Sequence, residues 1–295
     1  MQEIRYHLRF ISHGTGADAT ALQERFNWCD VYIPEIANWT PEFIAKIDEV
    51  TRGVISFEEF IGTCVAERGR IPGSYHYNFY TMLSNSKKPL LILERPYEKG
   101  TQTRKTSLAL LSKMRTTFRA GRCEEALDAA GQYVAIQVRN IIAREEYILD
   151  GYESRICEKI RSIPHLREKS SVSVFQSIGA GHTALLHELK RRLSKQLTAE
   201  WFRMPLIYSP LEEAQRRLRF LGERPNRSAL IRIVLSRLAL EYYASRNISD
   251  AILDQKVRAL SMRISEQQFL EMGAFAGSHT NCPVDQLFHS VGVDL

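Results

Sequence analysis

Polar and apolar positions alternate along residues 5–12, Arg-Tyr-His-Leu-Arg-Phe-Ile-Ser, and the run ends apolar. A period of two predicts a half-buried strand, here closed by His13-Gly14-Thr15-Gly16. The spacing becomes helical over residues 17–28, with Asp18 as its candidate cap. Residues 29–33 then predict a second, short, buried strand that leads into Pro34-Glu35. Thr40-Pro41 opens a further helix through residue 50. The threonine caps it, and proline takes the first helical position, where no N–H is needed. Strand, helix and strand at this spacing predict a parallel βαβ unit.

The pattern continues with a helix over residues 57–68. Residues 69–80 mix glycine, proline and aromatics and read as a loop bordering a site. A short apolar strand is predicted at 89–93, ending in Glu94-Arg95-Pro96, and the polar stretch 100–106 reads as mobile. Helices are predicted at 107–118 and 123–160, the second long and broken, carrying Arg139, Arg144, Glu145 and Glu146. Residues 172–175 form a strand before Gln176-Ser177-Ile178-Gly179-Ala180-Gly181-His182-Thr183. Glycines let the backbone turn where a Cβ would clash. His182 therefore falls between a strand end and the positive end of a helix. Beyond Thr183 the chain reads as wholly helical, over 183–197, 211–221, 227–245 and 249–265. The predicted class is α/β, a mostly parallel sheet flanked by helices with a C-terminal all-helical extension. The core spans residues 1–190 and the helical part 191–295.

Composition adds exclusions. Of the 295 residues, 44% are hydrophobic and 25% charged, ordinary values for a globular protein. No run approaches the roughly 18 apolar residues of a membrane span, and the amino terminus lacks an apolar signal core, so no membrane association and a cytoplasmic location are expected. Five cysteines, widely spaced and without CxxC, argue against a disulfide framework or a cysteine-rich zinc site. Buried free thiols are expected. The net charge of +6 is concentrated in residues 183–270, which carry +7, while residues 1–182 carry +2 and the last 25 residues −3. Basic helical regions are most often solvated faces, and no nucleic-acid module is present.

Three predicted strands end in polar groups: Ser12-His13-Gly14-Thr15, Pro34-Glu35 and Gly179-Ala180-Gly181-His182, with Glu94-Arg95 as a fourth candidate. In a parallel sheet such ends share one edge, where ligands and catalytic groups collect. Two histidines and a carboxylate there suffice to hold a divalent metal with an open position, or to act as a general acid/base set. His187 reads as a helix-surface residue. His7, His76, His165, His279 and His289 have no motif around them.

Ser12-His13-Gly14-Thr15, followed by Pro34-Glu35-Ile36-Ala37-Asn38-Trp39-Thr40-Pro41-Glu42, resembles motifs of the erythromycin esterase family. Gly179-Ala180-Gly181-His182 resembles the second G-x-x-H motif of the related Tiki and TraB proteins. Ala143-Arg144-Glu145-Glu146-Tyr147-Ile148 resembles that superfamily's arginine-bearing helix. The order also matches the ChaN-like members. The resemblance covers roughly residues 5–190. Phe10 stands where glycine often opens the first motif, and Ile148 where methionine is common.

The resemblance implies an α/β core with His13, Glu35, Arg144 and His182 as catalytic candidates. Glu94 and Glu146 are secondary, substrate-binding ones. His13, Glu35 and His182 would be the ligands of any divalent metal ion. The implied function is a hydrolase of an ester, lactone or peptide bond in a small-molecule or peptide substrate. His13 or Glu35 would activate water, directly or on a metal, and the other histidine and Arg144 would stabilise the oxyanion. The alternative is a non-catalytic binding or regulatory protein on the same fold, with the helical tail as partner surface. Elemental analysis of purified protein separates the two, a bound divalent metal favouring hydrolysis.

The tail's apolar stripe, residues 229–243, is expected to pack within the chain or in a homodimer, leaving its arginines in solvent. Titration of generic duplex DNA checks this: steep salt-dependent binding at physiological salt would assign the basic stretch to nucleic acid instead.

Overall fold

The computed structural model describes residues 2–11, 16–36, 40–68, 72, 74–95, 102–179, 181–193, 196–201, 209–244, 250–279 and 282–293. In chain order the elements begin with β1 (Glu3–Ile11), α1 (Gly16–Trp28), β2 (Val31–Ile33), α2 (Pro41–Arg52), α3 (Phe57–Arg68) and α4 (Ser74–Leu83). Then come α5 (Gln102–Arg119), α6 (Cys123–Leu149), α7 (Tyr152–Arg161), α8 (Pro164–Arg167), β3 (Ser171–Gly179), α9 (Thr183–Leu193) and β4 (Leu197–Trp201). The chain closes with α10 (Pro210–Leu221), α11 (Arg227–Ala244), α12 (Asp250–Arg263), α13 (Glu266–Ser278) and α14 (Val284–His289). No described helix is long and apolar enough to cross a membrane. The fold is α/β, as the pattern predicts. It divides into two compact units, one of Met1–Glu98 with Ile142–Leu206, the other of Lys99–Ile141 with Ile207–Leu295.

The first unit holds a four-stranded, wholly parallel sheet in the order β2-β3-β1-β4. The crossovers β1-α1-β2 and β3-α9-β4 step in opposite directions, so right-handed connections place their helices on opposite faces. The cores follow. Ala19, Leu22 and Phe26 of α1 pack with Ile11, Tyr32 and Phe175. Leu185, Leu189 and Leu193 of α9 pack with Tyr6, Leu8, Phe10, Val174 and Ile178. Both central strands are thus buried on two faces, and their carboxyl ends meet at the pair Ile11–Gly179. Thr40 caps α2 by accepting a bond from the Phe43 N–H at 3.2 Å, with Pro41 in the first turn, as expected.

Four expectations are corrected. The chain is not wholly helical beyond Thr183, because β4 pairs in parallel with β1. Leu197, Ala199 and Glu200 are good helix formers, but the open edge of β1 decides their state. Residues 74–83 are helix α4 rather than loop. Tyr75, Phe79 and Tyr80 are core aromatics, with Tyr75 and Phe79 sharing one helix face at i and i+4 and Tyr80 buried in the same cluster. Residues 102–106 are helical, because α5 begins at Gln102 rather than near residue 107. The 89–93 strand reduces to one bridge, Tyr32 with Leu90, held by the Tyr32 N–H on the Pro89 carbonyl and the Leu91 N–H on Tyr32. The cysteines are free and buried, except Cys157, which is half-buried.

The second unit is helical. Its core draws on α5, the first part of α6 and α10 to α14, with Ile231, Val234, Leu235 and Leu238 of the predicted stripe buried in it.

The long helical stretch breaks at Asp150-Gly151, as predicted. Gly151 ends it with φ 63°, a left-handed conformation open to glycine at little cost. That turn fixes where α6 stops and so how its last residues are aimed. A Cβ at Gly151 would also lie 3.1 Å from Ser154 Oγ. Gly151→Ala is expected to cost about 1 kcal/mol. It should lower the urea unfolding midpoint; an unchanged midpoint would show that the turn accepts a side chain freely.

Candidate functional site

Among the described residues, the carboxyl edge of the first unit's sheet gathers Glu35, Glu94, Arg144, Glu145 and His182. Glu35 follows β2 by two residues, and Glu94 follows the Leu90 bridge segment. Arg144 and Glu145 are neighbours in the last turns of α6, and His182 stands between β3 and α9. Glu145 and Ile148 of α6 are both buried, at i and i+3. The helix therefore turns Glu145 toward the sheet on its apolar stripe. Arg144 is the next position round, four residues before Ile148, and shares the inner side. The backbone of His182 is pinned: its N–H donates to Gly179 O at 3.0 Å, and its carbonyl accepts from Leu185 N–H at 3.1 Å.

Glu35 is the centre. Its Oε1 accepts from Arg144 Nη2 at 2.8 Å and lies 3.3 Å from His182 Nε2. Its Oε2 accepts the Gly179 N–H at the end of β3. Arg144 also grips Glu94 with two prongs, Nε to Oε2 at 3.0 Å and Nη2 to Oε1 at 2.7 Å. The far side of the imidazole, Nδ1, lies 3.0 Å from Glu145 Oε1. The Glu94 segment is held in turn by Arg155 Nη1, which donates to Leu93 O at 3.2 Å. The Glu94, Glu145 and His182 side chains are buried and that of Glu35 is 10% exposed, whereas 30% of the Arg144 side chain is accessible. Solvent therefore meets the cluster mainly along the Arg144 side chain.

Electrostatics follow from that geometry. Burial disfavours the imidazolium of His182, but the Glu35 and Glu145 carboxylates more than offset it, and its pKa is held up at about 9. Burial likewise opposes the charge on Arg144, and Glu35 and Glu94 push its pKa up. Near neutral pH His182 is thus a cation with both nitrogens protonated, clamped between two glutamates.

The expected residues are distributed as follows. Glu35, Glu94, Arg144 and His182 come together. His13 lies outside the described residues. Glu146 is exposed and makes none of the cluster's contacts; one step along a helix turns a side chain about 100° away. Its neighbour Glu145 occupies the site instead. Its spacing of three from the apolar Ile148 is the signal that identifies it.

Among the described residues, no group of three or more His, Cys, Asp or Glu is placed to hold a metal ion. The described part of the expected ligand set also does not fit one. A ligating imidazole needs a free lone pair, and both nitrogens of His182 face carboxylates. In comparisons with known proteins, no family model, no curated protein and no solved structure matches the chain.

Because the folded pKa of His182 lies above its ordinary 6.5, the imidazolium stabilises the fold fully below that value. The contribution is lost as pH rises through about 9. The gap in urea midpoint between the wild type and His182→Gln is therefore expected to be widest below pH 6.5 and to shrink toward pH 9 and above. A gap that widens with rising pH would show that His182 is buried neutral.

Proposed function

We propose that the chain is a hydrolase of the erythromycin-esterase/Tiki/TraB type, acting on an ester, lactone or peptide bond. One observation carries this reading: Glu35 Oε1 is shared between a histidine nitrogen and an arginine nitrogen in a buried site. Glu35 takes a proton from water as the oxygen attacks the carbonyl carbon. Arg144 Nη1, which takes part in none of the cluster's bonds, donates to the oxyanion. His182 gives its Nε2 proton to the leaving group. Glu35 and His182 are then left neutral at 3.3 Å from each other, and one proton passing from carboxyl to imidazole resets both. His13 remains a candidate for the water-activating role. Positioned acid–base groups contribute about 10²–10⁴-fold, and an oxyanion donor about 10²–10³-fold.

The test is turnover of a p-nitrophenyl ester, a lactone and a chromogenic peptide by the wild type, Glu35→Gln, His182→Asn and Arg144→Lys, with folding checked by circular dichroism. At least one substrate should be hydrolysed, with kcat falling at least about 10²-fold in each variant. Lysine cannot reproduce the two-pronged grip of Arg144. Turnover by the wild type that survives in all three variants would remove the cluster from catalysis. No turnover of any substrate would favour the non-catalytic binding protein.

A further inference from the structure

We infer that Glu145 is the positioning residue of this site, holding the His182 ring so that Nε2 faces Glu35. With its backbone pinned by Gly179 and Leu185, His182 keeps two free torsions. The second of these, the ring flip, exchanges nitrogens for carbons at both ends of the imidazole. The 3.0 Å contact of Nδ1 with Glu145 Oε1 selects one of the two flips. Both side chains are at most 6% exposed, so water offers Nδ1–H no ready substitute. An unpaired buried N–H is costly, which makes the selection strong.

The anchor is also rigid. Glu145 belongs to the same helical turn as Arg144, and the two residues divide their work. Arg144 bonds Glu35 directly, while Glu145 reaches it through His182. One turn of α6 therefore sets Arg144 and His182 against Glu35 Oε1, and any shift of that turn moves the two together. The charged groups facing the imidazole are Glu35, Glu145 and Arg144. Removing Glu145 takes away one of the two described carboxylates that oppose burial and the arginine, so the imidazolium weakens.

What the held ring does rests on the hydrolase reading; that it is held does not. The experiment therefore has two readouts on the full-length protein, using Glu145→Gln and the shorter carboxylate of Glu145→Asp. The first is nitrogen NMR of the histidine rings in ¹⁵N-histidine-labelled protein, with the His182 signals assigned by their loss in His182→Gln. Both substitutions should move the His182 Nδ1 and Nε2 resonances, and the glutamine should lower the pH at which they titrate. The second is kinetics on whichever substrate the wild type hydrolyses. There kcat should fall by between about 10-fold and 10⁴-fold with KM little changed, the upper figure being the loss when an orienting carboxylate is removed from a triad. The alkaline limb of the rate profile should shift to lower pH.

Wild-type ring resonances in Glu145→Asp overturn the inference even if Glu145→Gln fails to fold. Moved resonances without any wild-type turnover support the positioning and sink the hydrolase reading instead. Turnover that both variants retain, with an unmoved ring and rate profile, sinks the positioning and leaves the hydrolase reading standing.

Discussion

The carboxylate of Glu35 is the constraint on which the site depends. It lies just past the end of β2 and accepts the Gly179 N–H from the end of β3, a side-chain bond where the regular strand pairing has ended. That bond leaves Glu35 Oε1 for Arg144 and His182. A buried carboxylate needs such partners, because isolated in a low-dielectric interior it would take up a proton instead. The partners are therefore a condition of the charge as well as its consequence. Each comes from a different part of the unit: a strand end, a helix end and the turn into another helix.

The sheet makes this convergence possible. Because the two crossovers step in opposite directions, β1 and β3 lie side by side with their following segments free to diverge at the carboxyl edge. β2, pairing with β3, brings Glu35 to the same edge. The last turns of α6 and α7 pack on the α9 face, through Ile148, Tyr152 and Ile156. Tyr152 also donates to Gln176 Oε1 at 2.8 Å, three residues before Gly179 on β3. This buried bond ties the start of α7 to the strand that carries the site, so the α6–α7 break sits at a fixed height on the sheet. From there Arg144 and Glu145 are aimed by helical geometry alone.

Much of this was legible in the chain, for identifiable reasons. Glu35 and His182 follow buried strands and are flanked by proline or glycine turns, a local signal. Arg144 stands out through the resemblance of residues 143–148 to an arginine-bearing helix, and its place four residues before Ile148 agrees with an inward side. Glu145 is hard to tell from Glu146 in the sequence, since adjacent glutamates look alike until the helix phase is fixed; the buried Ile148 fixes it. β4 was hidden because its composition favours helix and its strand state comes from β1, nearly two hundred residues earlier. Glu200 shows the same long-range dependence, paired with Arg9 on β1 and Arg25 on α1. Membership of residues 99–141 in the helical unit is likewise non-local, since its core contacts come from α10 to α14.

The cost of the cluster bears on its purpose. Three carboxylates and two cations are brought together with four of the five side chains at most 10% exposed. Desolvating each ion costs several kcal/mol, and well-packed apolar residues of similar volume are often as stabilising as a buried ion pair, or more so. A core that needed only cohesion would be served by the Ile148, Tyr152 and Ile178 layer beneath. The acids also outnumber the bases, so with His182 protonated the set carries one formal negative charge, and with His182 neutral two. Every gain or loss of a proton at the imidazole is then felt by Glu35 at 3.3 Å and by Glu145 at 3.0 Å. That coupling is what moves the histidine so far from its ordinary range, and groups moved in this way concentrate at sites that handle protons. An apolar plug would close the sheet edge as well, but could not hold a proton donor and an acceptor on adjoining atoms.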